Sequence, residues 1–400
     1  MTTIAATSRP IRAAQVVAVC ILIAVLEGYD IQAIGVAAPT LAPALHLNQA
    51  QIGLAGSMAM IGLILGAAGG GWAADRVGRR PVLIASVAWF GVFSLLTATS
   101  ASAEMLLTWR LLTGVGFGGA MPNMIAMAGE ASPPHRRVST VTAIFVGMPA
   151  GGAAAALLAR FLPAGFDWRL IFAVGGAAPL LIVALAAALL PETLVRREAG
   201  ADRRPWNALF GEGRAATTLT LWTAFAATLV VLSMMLAWLP LLVIGKGLAK
   251  DVGQVAALAF NLVGIAGGLV VGRSVDRRGP RWPLLASLAL LAAAMIALAL
   301  AGGPSLVVAT AALAGFGVMG AQFSLYAIAP RYYPAPVRAT GSGAAVSVGR
   351  VGSIAGPLLA GFLRQAHAGV TETLACTAPI IGVGAVAVLL LTGRARTHGD

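Results

Sequence analysis

Charge is the scarcest commodity in this chain of 400 residues. Only 10% of it is Asp, Glu, Lys or Arg, and just 14 residues are acidic. A water-soluble domain is about one-quarter charged, so this sequence cannot clothe a water-facing surface. Disorder is excluded for the opposite reason, because 59% of the residues are hydrophobic and leave much to bury. Cysteine is limited to Cys20 and Cys376, each within an apolar run, which offers neither a disulfide framework nor metal-ligand spacing. The four histidines are dispersed, and His46, His135 and His367 read as surface residues rather than metal ligands or catalytic bases. No cofactor and no enzymatic constellation is expected.

What is abundant is apolar length. A membrane-crossing helix needs roughly 17 to 25 mostly apolar residues. Twelve such runs are predicted, at 14–38, 51–73, 82–101, 104–128, 138–160, 169–190, 217–244, 253–273, 282–300, 305–329, 338–362 and 373–393. Helices satisfy their own backbone in lipid, and the 49 glycines suit close helix packing there. The first run is too long for a cleaved signal and is read as a retained span.

Basic residues orient the chain. With both termini cytoplasmic, 20 of the 27 Lys and Arg fall in inner segments and five in outer ones. Arg110 and Arg350 remain inside spans. That is the positive-inside pattern, and it explains the net charge of +13 without nucleic acid. The polar stretch 191–216 divides the chain near its middle. It reads as a cytoplasmic linker between a first bundle, 1–190, and a second, 217–400.

The halves repeat. GWAADRVGRR at 71–80 aligns with GRSVDRRGPR at 272–281, at an offset of 201 residues. At the same offset Gly114 meets Gly315, Gly116 meets Gly317 and Arg137 meets Arg338. The expected fold is all-α, with two pseudo-symmetric six-helix bundles around a central site, the architecture of an alternating-access carrier.

These motifs resemble the major facilitator superfamily over nearly the whole length. GWAADRVGRR, RLLTGVGFGG at 110–119, VGMPAGG at 146–152 and the PET at 191–193 carry the resemblance. LEGYDIQAIGVAAP at 26–39 and YAIAPRYYPAPVRATGSGAAVSVGRVGSIAGP at 326–357 are similar to the aromatic acid/proton symporters, and the details lean toward carriers of 3-(3-hydroxyphenyl)propionate. The resemblance implies proton-coupled import of an aromatic carboxylate across a bacterial cytoplasmic membrane. Proton-coupled efflux of drugs or metabolites by the same fold is the alternative. A monomer in the bilayer is expected, with the aromatic anion and the proton as its only other partners.

Four ionisable residues fall inside spans: Glu27, Asp30, Arg110 and Arg350. Such groups are costly in a bilayer and face a bundle interior or a wet cavity. Glu27 and Asp30 lie near one face of the first helix, and Arg110 of the fourth reaches a similar depth. The three are expected to form a proton-linked cluster. Arg350 is expected to clamp the substrate carboxylate, with Arg110 as second choice. Tyr29, Gln32, Asn123, Trp238, Asn261, Gln322 and Tyr326 are candidate liners of the aromatic site. At the cytoplasmic rim Asp75, Arg79 and Arg137 form an expected latch, with Glu130 and Glu192 nearby. Asp276 and Arg277 repeat it in the second half. There Pro280 replaces the match to Arg79, and Arg281 is the expected substitute.

Overall fold

The computed structural model describes residues 10–133, 137–162, 167–191, 209–211, 213–334 and 337–394. Among these, twelve segments are long and apolar enough to cross a membrane. The first half holds α1 (Pro10–Ala44), α2 (Gln49–Val77), α3 (Arg79–Ala98), α4 (Ala103–Ala131), α5 (Arg137–Phe161) and α6 (Arg169–Leu189). The second holds α7 (Ala215–Gly245), α8 (Lys250–Arg278), α9 (Arg281–Leu300) and α10 (Pro304–Ile328). A 3₁₀ turn at Ala329–Tyr332 precedes α11 (Arg338–Gln365), α12 (Val370–Ala375) and α13 (Thr377–Arg394). Most of the linker, Glu192 included, lies outside the described residues.

Most helices start or end a few residues away from the expected bounds, and at two places proline bears on the difference. The first helix runs on to Ala44 through Pro39 and Pro43. Proline's φ suits a helix, and each ring removes only one backbone donor. The last span breaks at Cys376 into α12 and α13. Pro379 forbids the bond that would reach residue 375, so the helix restarts.

Local signals explain the other ends. Asn48 caps α2 by accepting from the Gln51 amide, and Gln51 reciprocates in a capping box. Ser102 caps α4 through the Met105 amide. Gly78 alone separates α2 from α3, at a φ of 97°. Its repeat counterpart Gly279 stands before α9 at a φ of 75°. Only glycine adopts such angles freely, so this glycine of the repeated loop motif makes the tight turn.

The repeat reappears in the packing. A side chain at Gly114 would strike the Ala59 carbonyl, and one at Gly315 would strike the Phe260 carbonyl. Gly151 abuts the Val25 carbonyl as Gly352 abuts that of Ala226. Every pair differs by the same 201 residues. Thus α4 sits on α2 as α10 sits on α8, and α5 on α1 as α11 on α7. Large apolar side chains including Leu65, Trp72, Phe161, Leu181 and Leu300 remain on the outside, suited to lipid rather than water.

The halves meet through α1 with α7, α2 with α11, and α5 with α8. Gln32 Nε2 donates to the Leu236 carbonyl at 2.9 Å, Ser57 Oγ to that of Ile354 at 2.7 Å, and Gln254 Nε2 to that of Val36 at 3.2 Å. These ties lie toward the end opposite the arginine clusters. Toward the arginine-rich end, Phe145 of α5 stacks on Tyr326 of α10, ring centroids 4.6 Å apart.

Candidate functional site

Between these two sets of contacts lies a cavity. Both halves line it. The first contributes Gly28, Ile31, Gln32, Met60, Phe145 and Met148, the second Leu232, Ser233, Asn261, Gln322, Phe323, Tyr326, Arg350 and Ser353. The wall is mostly apolar with a few polar groups, the pattern of a small-molecule site.

The four intramembrane charges separate into two groups. Arg110 Nη1 donates to Asp30 Oδ1 in a salt bridge. Ser94 Oγ donates to Asp30 Oδ2. The Arg110 guanidinium lies 5.7 Å from the Phe172 ring centroid. Arg110 is 1% exposed and Asp30 is fully buried, and neither lines the cavity. The pair sits inside the first bundle, so the expectation of Arg110 as a substrate ligand does not match its placement. Its guanidinium is already engaged by Asp30.

Glu27 is not the third member of that cluster. It is fully buried and neither carboxylate oxygen has a hydrogen-bond partner. The next residue, Gly28, lines the cavity together with Arg350 of the other half. Arg350 in turn lines the cavity, with Nη2 3.1 Å from the sulfur of Met121. A thioether is a weak acceptor, so the guanidinium keeps most of its bonding capacity.

Of the remaining expected liners, Gln32, Asn261, Gln322 and Tyr326 are on the cavity wall. Three are elsewhere. Tyr29 donates to the Ile171 carbonyl at 3.0 Å and packs on Gly175, which turns it into the first bundle. Trp238 donates to the Pro357 carbonyl at 3.1 Å and is buried within the second half, so it is neither a liner nor a surface anchor. Asn123 folds back onto the Gly119 carbonyl of its own helix at 2.8 Å.

The rim shows an exchanged arrangement. Arg79 of α3 pairs with Glu130 of α4 in the first half. Glu130 corresponds, 201 residues on, to Arg331. In the second half Arg331 pairs with Asp276 at 3.1 Å, so the basic partner has moved from the position lost to Pro280 to the position of Glu130. Arg281, the expected substitute, instead stands 5.6 Å from the Trp282 ring centroid. Arg277 is exposed at the end of α8. Both described pairs stay within one half. Asp75 and Arg137 belong to α2 and α5, but their side chains lie outside the described residues.

Several contributors were not expected: Ser94, Met121, Phe145 and Thr228. The repeat frame held a signal for two of them. Thr228 stands 201 residues after Glu27, and Met121 stands 201 before Gln322. Among the described residues no cluster of three His, Cys, Asp or Glu is placed for a metal.

The pattern of the Major Facilitator Superfamily matches residues 20–357 and 247–399. The chain belongs to that superfamily. A "3-(3-hydroxy-phenyl)propionate transporter" of Escherichia coli (strain K12) is 39% identical over 94% of each chain. A "Gallate transporter" of Pseudomonas putida is 32% identical over 97% of this chain and 94% of its own. Such relatives place this superfamily member among the aromatic acid/proton symporters. A solved D-xylose-proton symporter shares the fold, with a TM-score of 0.76 and 19% identity over 94% of this chain and 96% of its own.

Proposed function

We propose that this major facilitator carries an aromatic carboxylic acid into the cell together with a proton, by alternating access. The relatives named for 3-(3-hydroxyphenyl)propionate and gallate support the passenger class. The observation that carries the mechanism is Arg350 on the cavity wall, with the unpartnered carboxylate of Glu27 buried beside Gly28, a liner from the opposite half.

An aromatic acid arrives as an anion, and removing it from water needs a positive partner. The Arg350 fork supplies one and matches a carboxylate with two hydrogen bonds. The Arg350 cation cannot serve Glu27 and the substrate equally. When substrate neutralises Arg350, Glu27 loses the charge that favours its ionised form, and it takes a proton. When the substrate leaves, Arg350 again favours ionised Glu27 and the proton departs. Binding of anion and proton is thereby linked in one site. Asp30 and Arg110 support this cycle from behind, holding α1 against α4.

One proton with a monovalent anion moves no net charge. A second proton would add a driving force of about 2.3 kcal/mol per 100 mV. The halves 1–190 and 217–400 rock about the cavity, with the linker 191–216 joining them on the cytoplasmic side. The pairs Arg79–Glu130 and Asp276–Arg331 brace the rim of each half as it moves.

The test is counterflow in proteoliposomes with labelled 3-(3-hydroxyphenyl)propionate and gallate, with xylose as the non-aromatic control. Counterflow of an aromatic acid is expected, and in vesicles loaded with no substrate, net uptake is expected to acidify the lumen. Arg350→Gln is expected to raise KM by at least about tenfold, or about 1.4 kcal/mol. Equal KM values for the variant and the native protein would refute the clamp.

A further inference from the structure

Two residues of the cavity wall each bury a polar atom without a partner: Asn261 Oδ1, close to Gly152 of α5, and Gln322 Nε2. Each side chain is 1% exposed. Burying such an atom unsatisfied costs about 1–3 kcal/mol. A passenger that supplies the missing partner recovers that cost.

The chemical character of the atom on Asn261 follows from its neighbours. Asn261 Nδ2 donates to the Ala257 carbonyl at 2.9 Å and reaches Gln32 Oε1 at 3.4 Å. Both of those atoms only accept. Gln32 is fixed in turn, because its Nε2 donates to the Leu236 carbonyl. The atom left over on Asn261 is therefore an acceptor, and its complement is a donor. At Gln322 the reverse holds. Its Oε1 accepts from Thr228 at 2.5 Å, which leaves an amide donor.

The two atoms lie at different depths. Gly349 packs against Phe225 and Leu229, so Arg350 stands near the level of Leu229. Gln322, bonded to Thr228, stands there too. The Gln32–Asn261 pair is tied to Leu236, seven residues farther along α7, or about 10 Å at helical rise. The apolar side chains of Leu232 and Met148 line the wall with them. The cavity thus has a cationic, donating pole and an accepting pole, separated by apolar surface.

We propose that Asn261 Oδ1 selects for a hydroxyl on the aromatic ring, accepting its O–H while Arg350 and Gln322 Nε2 hold the carboxylate. This rests on the aromatic-acid reading above and adds a specificity element to it. A ring without the hydroxyl leaves Oδ1 unpaired after water is expelled. A methoxy group sets acceptor against acceptor.

The test compares 3-(3-hydroxyphenyl)propionate, 3-phenylpropionate and 3-(3-methoxyphenyl)propionate in the same proteoliposomes. The native protein is expected to favour the hydroxy acid by at least about tenfold in kcat/KM over each analogue. In Asn261→Leu that ratio is expected to fall toward one. Equal kcat/KM for hydroxy and methoxy acids in the native protein would overturn the assignment, and so would an unchanged ratio in Asn261→Leu. If the variant does not fold, the native series decides alone. Uptake of none of the three acids, and of no gallate, would overturn the aromatic-acid reading itself, a result distinct from uptake without discrimination.

Discussion

Glu27 and Asp30 stand one helical turn apart on α1, yet their bonding is opposite. Asp30 receives hydrogen bonds from Arg110 and Ser94, whereas Glu27 receives none and lies buried beside Gly28, which lines the cavity with Arg350. Asp30 has its lone pairs engaged by two donors, whereas the Glu27 carboxylate has bonding capacity to spare for a proton. Glu27→Gln is therefore expected to abolish substrate-driven proton movement while substrate exchange continues, because exchange returns the carrier without releasing its proton. Lumenal pH and counterflow measured on the same vesicles check this. Coupled acidification that persists in Glu27→Gln would move the proton site elsewhere.

The Asp30–Arg110 pair makes a different prediction, about stability. Removing one partner strands a buried charge, which typically costs about 3–5 kcal/mol. Removing both leaves only lost packing. Asp30→Asn and Arg110→Met are each expected to lower the unfolding temperature in detergent, and the double variant to recover part of the loss. A double variant as unstable as the sum of the singles would mean that the pair is not the source of the effect.

Gly114 and Gly315 offer a test of the repeat as a packing unit. Each meets a backbone carbonyl, that of Ala59 or Phe260, with no space for a side chain. Overpacking of this kind costs about 1–3 kcal/mol. Gly114→Val and Gly315→Val are expected to destabilise the protein by comparable amounts, whereas Gly69→Val, where nothing stands within 4 Å, is expected to have little effect. Differential scanning of the three variants reads the comparison directly.

Much of this architecture is legible in the amino-acid sequence, because its physical causes are one-dimensional. Apolar length fixes spans, arginine bias fixes their alternation, and the 201-residue offset exposes two halves. Depth along a helix is legible too, and it brings Arg110 to the level of Asp30. What spacing along one helix does not convey is the direction in which a side chain leaves it. Glu27 shares a face with Asp30 by count, but α4 holds only Asp30, and the Glu27 carboxylate finds no hydrogen bond. Tyr29 and Asn123 show the same limit, since each finds a carbonyl within its own bundle rather than the cavity. The rim pairing is hidden because Arg331 takes its role by substitution at the position of Glu130, whereas linear proximity to Pro280 points to Arg281.

Phe145 and Tyr326 supply the last prediction. Their stacked rings join the two halves on the arginine-rich side of Arg350, and Phe225 meets Tyr326 edge-on at 5.2 Å. Aromatic pairs of this kind contribute about 0.5–1.5 kcal/mol beyond their buried area. That is strong enough to hold a gate and weak enough for a carrier to break in each cycle. Opening the cytoplasmic path requires α5 and α10 to separate, so a covalent tie between these positions is expected to stop transport. With Cys20 and Cys376 replaced by serine, Phe145→Cys combined with Tyr326→Cys is to be bridged by a short reducible thiol cross-linker. Counterflow is expected to fall to background on cross-linking and to return with reductant to the untreated double variant's level, while neither single variant changes on the same treatment. Undiminished counterflow in a fully cross-linked sample would show that the two helices never part at this level.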